Sequence, residues 1–179
     1  MKKYVKFNKE KILIVNKNYK LSRFFNPKKL NKDLLTQYDK MWHQAQEDKI
    51  NLHIVSGYRS YKYQQQLLKE YLRVDNIENI KKYLAMPGHS EHQTGLCIDL
   101  VNTESKLIRK YTKEYKWLYH NSYKYGFILR YPKGKELITG YKYEPWHFRY
   151  VGENLAKELY NKGEYLTLEE YFHLNHKKR

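Results

Sequence analysis

Two clusters in this 179-residue chain carry residue types suited to metal-assisted hydrolysis. The first is Pro87-Gly88-His89-Ser90-Glu91-His92-Gln93-Thr94-Gly95-Leu96-Cys97-Ile98-Asp99. Strand alternation from Leu96 to Val101 turns Leu96, Ile98 and Leu100 to one face and Cys97, Asp99 and Val101 to the other. An aspartate inside so apolar a strand is costly unless it is paired, hydrogen-bonded or bound to a metal. The second cluster is Glu144-Pro145-Trp146-His147. His92, Asp99 and His147 make a two-imidazole, one-carboxylate set that suits zinc and leaves a fourth position for water. Glu144 would then be the unligated carboxylate that takes the proton of that water.

Taken singly, each piece has a plainer reading. A lone histidine is more often a surface or satisfied core residue, and Glu-Pro-Trp-His also suits a packed turn. The conventional His-Glu-x-x-His zinc helix is absent. Spacing alone therefore leaves the metal centre and the bland reading both open.

The elements that must position these residues are short and mixed. Ile12 to Val15 reads as a strand, ended by Asn16-Lys17-Asn18. Asn26 and Pro27 have the form of an N-cap and first turn, followed by an apolar stripe at Leu30, Leu34, Tyr38, Met41 and Ala45. Leu52 to Val55 is a strand that turns at Ser56-Gly57. Ser60 caps a helix whose Leu67, Leu68, Tyr71 and Leu72 are expected to face inward. After the Leu96 to Val101 strand, a helix over Thr112 to Tyr125 ends at Gly126, and Phe127 to Tyr131 is a strand closed by Pro132-Lys133-Gly134. A helix from about Glu153 to Asn161 ends near Gly163, and Thr167-Leu168-Glu169-Glu170 has capping-box spacing. Without regular βαβ alternation, this order predicts an α+β domain around an antiparallel sheet. There is no repeat or linker, so residues 1–179 read as a single domain.

At its chemical residues the sequence resembles the VanY-type D,D-carboxypeptidases and the related VanX and VanXY D,D-peptidases. The pattern Ser-x-His-x-x-Gly-x-x-x-Asp is met by Ser90, His92, Gly95 and Asp99, and Glu-x-Trp-His by Glu144, Trp146 and His147. Ser-Gly-Tyr-Arg-Ser followed by Gln is met by Ser56 through Ser60 and Gln64. The resemblance runs from about Ile12 to Tyr171. It implies a hedgehog/D,D-peptidase-type α+β fold with a zinc cleft on the central sheet, and a peptidoglycan stem peptide or precursor ending in D-alanine as substrate. It assigns Zn2+ to His92, Asp99 and His147, and general acid/base catalysis to Glu144. Arg59 would face the oxygen on which charge develops; Gln64, Ser90 and Trp146 would contact substrate. Cys97 stands where the family usually has a small residue, often alanine. It reads as a small buried thiol filling that space, or as an oxidisable thiol beside the metal.

Bulk composition bounds the alternatives. Aromatics at 16%, with twenty tyrosines, argue for a folded domain despite a mean hydropathy of -0.95. The formal charge of +16 favours a polyanionic neighbourhood such as a wall polymer, although the basic residues are spread along the chain. A specific nucleic-acid partner is not expected, because no recognised nucleic-acid motif accompanies the charge. One cysteine excludes an internal disulfide, and no apolar run approaches a membrane span. The basic start has no apolar h-region, which leaves either a cytoplasmic enzyme or a wall enzyme shown without its export segment. A monomer is expected. Within the same fold, a D,D-dipeptidase, an L,D-carboxypeptidase or wall endopeptidase, and a non-catalytic zinc-stabilised binding module are the alternatives. The stretches 74–85 and 102–113 are the candidate specificity loops.

Overall fold

A computed structural model describes residues 3–161 and 163–174; the Met1-Lys2 start lies outside them. At its centre is a four-stranded antiparallel sheet in the order β3-β4-β6-β5. Its strands are β3 (His53–Ser56), β4 (Cys97–Val101), β5 (Phe127–Leu129) and β6 (His147–Tyr150). All five residues of β4 are buried, as its apolar run requires of a strand covered on both faces. Asp99 is the cross-strand partner of His147 and Cys97 that of Arg149, so the two chemical clusters meet on adjacent central strands.

Ile98, Leu100 and Phe148 pack with Leu34, Met41 and Ala45 of α1 (Lys32–Glu47), and with Leu118 and Leu155, in one apolar cluster. Leu34 and Met41 are fully buried, and each such side chain contributes roughly 1.5–3 kcal/mol. The stripe is as expected, but the helix begins five residues later than Asn26-Pro27 suggested. Asn31 is the N-cap, its side chain accepting from Leu34 N at 3.0 Å. Asn26 instead accepts from Lys28 N at 2.9 Å, an Asx turn in which Lys28 has φ 67°.

Other elements also differ from expectation. A hairpin of β1 (Lys3–Phe7) and β2 (Glu10–Ile14) opens the described chain, where only the second strand was anticipated. α2 (Tyr61–Tyr71) is capped by Ser60 as expected, yet its one buried residue is Gln64. Leu67 and Leu68 are half-buried, and Tyr71 and Leu72 are exposed. After α3 (Ile77–Ile80), α4 (Lys113–Asn121) gives way to a 3₁₀ turn over Ser122–Tyr125 before Gly126 ends it, and β5 stops at Leu129 because Arg130 and Tyr131 leave the strand. After α5 (Glu136–Thr139), α6 (Glu153–Leu159) passes directly into the short hairpin β7 (Tyr160–Asn161) and β8 (Glu164–Tyr165). The capping box at Thr167 and Glu170 is complete and starts α7 (Leu168–Tyr171).

Gly95 is the hinge between the 3₁₀ turn Glu91–Thr94 and β4. Its φ is 69°, its carbonyl accepts from Asn31 N at 2.8 Å, and an added Cβ would lie 2.5 Å from the Lys29 carbonyl oxygen. Gly95→Ala is therefore expected to destabilise the protein by about 2 kcal/mol or more, from left-handed strain plus the backbone clash. Urea unfolding measures this; an unchanged midpoint would mean that the 29–31 loop yields without cost.

Candidate active site

The site lies where the sheet meets the turn before β4. His92 is delivered by the 3₁₀ turn Glu91–Thr94, Asp99 by β4, and His147 by the first residue of β6. Glu144 precedes β6 in a tight turn closed by a bond from His147 N to the Glu144 carbonyl at 3.2 Å. With Arg59, Gln64, Ser90 and Trp146, these residues line a single cleft of about 420 Å³. All eight residues singled out from the sequence thus come together.

Three donor groups converge. His92 Nε2 lies 3.2 Å from Asp99 Oδ2, and His147 Nδ1 lies 3.0 Å from Asp99 Oδ1. Despite these distances, His92 Nε2 and Asp99 Oδ1 are buried with no hydrogen-bond partner. Short separations without hydrogen-bond geometry are what lone pairs aimed at a common centre produce. The Gly57 carbonyl accepts from His92 Nδ1 at 2.6 Å, which in the neutral imidazole keeps the proton there and leaves the Nε2 lone pair for a ligand. The donor set fits a zinc-type ion of mixed nitrogen and oxygen ligation. Cys97 also reaches this region: its thiol and the imidazoles of His92 and His147 lie within 4.8 Å of one another. It is fully buried, in keeping with a thiol occupying a small residue's space.

The electrostatics follow from that crowding. Burial disfavours a charged imidazole at His92, but Cys97 and Asp99 carry it up to about 9. Burial likewise opposes ionisation of Asp99, yet His92 and His147 hold it well below the usual carboxylate range. A metal entering this site would displace protons. Glu144 moves the other way: burial, aided by the negative charge of Asp99, raises it to about 7 against the opposing pull of His147, His92 and Arg59. Its Oε2 is 3.7 Å from His147 Nδ1.

Arg59 is fixed at both ends. Its backbone N–H donates to the His92 carbonyl at 3.1 Å, and its Nη1 donates to Gln64 Oε1 at 3.2 Å. Gln64 Nε2 donates in turn to the Ala85 carbonyl at 2.8 Å. One end of Gln64 therefore holds Arg59 and the other is anchored on Ala85, whereas Arg59 Nε is buried without a partner. Ser90 and Trp146 contribute to the wall. Of the expected specificity loops, the first supplies Tyr83, Leu84 and Ala85 and the second Leu107. Leu67 and Tyr71 line the cleft rather than a core, which explains their exposure.

Some residues at the site escaped the sequence reading. Tyr131 and Tyr141 are buried in the cleft wall with rings 5.1 Å apart, and the Tyr131 ring lies 5.0 Å from that of His147. Behind His147 lie the buried charges Glu91, Arg130, Arg149 and Glu169. Arg130 and Arg149 hold Glu91 well below the usual carboxylate range although burial opposes it. Arg130 within the apolar run Phe127-Ile128-Leu129-Arg130-Tyr131 was the available signal, but nothing local joins it to Glu91, 39 residues away.

Comparison with known proteins gives one consistent set of relatives. Residues 27–153 match the family model VanY, described as D-alanyl-D-alanine carboxypeptidase. The chain is 34% identical over 175 residues to VanXYC of Enterococcus gallinarum, a bifunctional D-Ala-D-Ala dipeptidase and D-Ala-D-Ala carboxypeptidase, covering 88% of this chain and 91% of that protein. Two enterococcal D-alanyl-D-alanine carboxypeptidases also match, over 49% and 43% of their own lengths. Among solved structures, the L,D-carboxypeptidase DacB from Streptococcus pneumoniae aligns with a TM-score of 0.85 at 39% identity, covering 94% of this chain and 90% of that one. A mutant of the D,D-pentapeptidase VanY from a VanB-type resistance cassette, in complex with Zn(II), aligns at 0.76 with 30% identity, over 89% and 97% of the two chains.

Proposed function

The chain belongs to the VanY family of D-alanyl-D-alanine carboxypeptidases, and we propose that it removes the terminal D-alanine from peptidoglycan stem peptides or their precursors with Zn2+ as cofactor. The observation that carries this reading is the convergence of His92 Nε2, Asp99 and His147 Nδ1 beside Glu144, whose carboxylate is left outside the donor set. His92, Asp99 and His147 would hold the ion, which when bound supplies a Lewis acid and an acidified water. Glu144 Oε2 takes the proton of the attacking water and returns it to the leaving amine of D-alanine. Arg59 directs its guanidinium at the carbonyl oxygen as charge develops there, held in place by Gln64. Ser90 and Trp146 bound the substrate on the cleft wall. Residues 1–179 make up one such catalytic domain.

The bond cleaved has two candidates. The family description supports the D,D bond of a pentapeptide, and the complex of VanYB with D-alanine-D-alanine, 29% identical, belongs to the same group. The higher TM-score to an L,D-carboxypeptidase supports the L,D bond of a tetrapeptide. Pentapeptide, tetrapeptide, D-Ala-D-Ala and intact wall, each with and without chelator, separate them by mass spectrometry. Chelator-sensitive loss of one D-alanine from the pentapeptide is the expected result. Release only from the tetrapeptide would move the activity to the L,D bond, and turnover indifferent to chelator would sink the metal reading.

Among the described residues no helix is long and apolar enough to cross a membrane. The charge of +16 supports work beside an anionic wall polymer. A cytoplasmic precursor peptidase is the other arrangement. Arg59 and Glu144 both stand in the cleft, which argues against a binding module without catalysis.

A further inference from the structure

The charges behind His147 form a connected chain. Glu91 Oε1 accepts from Arg130 Nε at 2.8 Å and lies 3.1 Å from Arg149 Nη1. Arg130 donates through both terminal nitrogens to Glu169, at 2.8 and 2.7 Å, and Glu169 Oε1 accepts from Asn16 Nδ2 at 2.8 Å. The second oxygen of Glu91, Oε2, sits 3.4 Å from His147 Nε2. None of Glu91, Arg130, Arg149 and Glu169 is more than 3% exposed.

With two guanidinium groups at 2.8 and 3.1 Å from Oε1, Glu91 sits in the geometry of a carboxylate that accepts. An ionised carboxylate only accepts hydrogen bonds. The His147 nitrogen facing it must therefore carry the proton, and a neutral imidazole has only one. We infer that Glu91 is a positioning residue: it fixes the Nε2–H tautomer of His147 and so turns the Nδ1 lone pair into the cleft toward Asp99. His92 reaches the opposite tautomer through the Gly57 carbonyl. The two imidazoles are thus set by different devices, a neutral carbonyl for one and a buried carboxylate for the other. Such outer partners orient a ligating imidazole and raise its basicity. The anchor of this device is distant in sequence, since Glu169 belongs to α7 and Asn16 follows β2.

This inference rests on His147 being a metal ligand, and the decisive measurement separates the two. In the zinc-loaded full chain labelled with 15N-histidine, long-range 1H–15N spectra should show His147 protonated at Nε2, with Nδ1 shifting on zinc addition. Metal at Nε2, or a proton at Nδ1, would overturn the role of Glu91 and leave the metal site standing. No zinc-dependent shift at either nitrogen would remove His147 as a ligand and the inference with it. Zinc affinity gives a second readout. Glu91→Gln is expected to bind zinc about 10–100-fold more weakly, while Glu169→Gln, which loses a contact to Arg130 and none to His147, stays within about threefold of wild type. Equal losses in the two variants would reduce Glu91 to scaffold support and overturn the inference. If Glu91→Gln does not fold, the wild-type spectra still decide.

Discussion

Replacing Glu144 by alanine is expected to leave a protein that binds zinc at wild-type stoichiometry but turns over about 10²–10⁴-fold more slowly. The geometry demands this split. Glu144 is close enough to the donor cluster to reach a water there, yet Asp99 and not Glu144 has its oxygens within 3.2 Å of the imidazole nitrogens. Turnover near wild type would mean that another group takes the proton. The same residue predicts a stability effect whose sign can be worked out. A buried carboxyl raised to about 7 binds its proton more tightly folded than unfolded. Its favourable contribution is therefore full below the unfolded value near 4.5 and is lost as pH rises through about 7. In metal-free protein, Glu144→Gln should be more stable than wild type above pH 7, by about 1–3 kcal/mol, and the gap should close toward pH 4. Calorimetry across that range checks it; a gap that widens in acid would contradict the assignment. The group proposed as general base is one the fold holds at a cost.

Arg59→Lys is expected to lower kcat about 10²–10³-fold with a much smaller change in KM. Charge is retained in this variant, so the effect isolates geometry. Arg59 uses Nη1 on Gln64, while its Nη2 lies 4.0 Å from Asp99 Oδ2 at the cleft floor and its Nε has no partner. A lysine has a single nitrogen and cannot satisfy Gln64 and face the reacting oxygen together. Steady-state kinetics on the cleaved peptide distinguish the cases. A rise in KM alone would place Arg59 on the ground-state substrate rather than on developing charge.

The strand bearing Asp99 is legible because alternation exposes an acid where only apolar residues should stand. The pairing of Asp99 with His147 is not, since cross-strand register leaves no trace in either segment alone; donor chemistry made them a plausible set, and the resemblance joined them. The start of α1 misleads for a definite reason. The side chain of Asn26 serves an Asx turn as readily as an N-cap, and nothing local favours Asn31 over it. Helix α2 misleads in another way. Its Leu67 and Tyr71 have the spacing of a core stripe, but that stripe faces the cleft, and an apolar cleft wall and an apolar core write the same pattern. The chain from Asn16 through Glu169 and Arg130 to Glu91 spans 153 residues at its longest link and follows no period.

The cross-strand register of Asp99 and His147 has a consequence for how such a protein can change over generations. Two donors on neighbouring central strands are pinned by the backbone ladder itself, so the floor of the cleft tolerates little drift. The walls come from elsewhere: Leu67 and Tyr71 from a helix, Tyr83 and Leu84 from one loop, Leu107 from another. Insertions and exchanges in those segments can reshape the space offered to a peptide tail while the chemistry beneath keeps its spacing. A scaffold divided this way can acquire a new preference for substrate length without passing through an inactive ancestor.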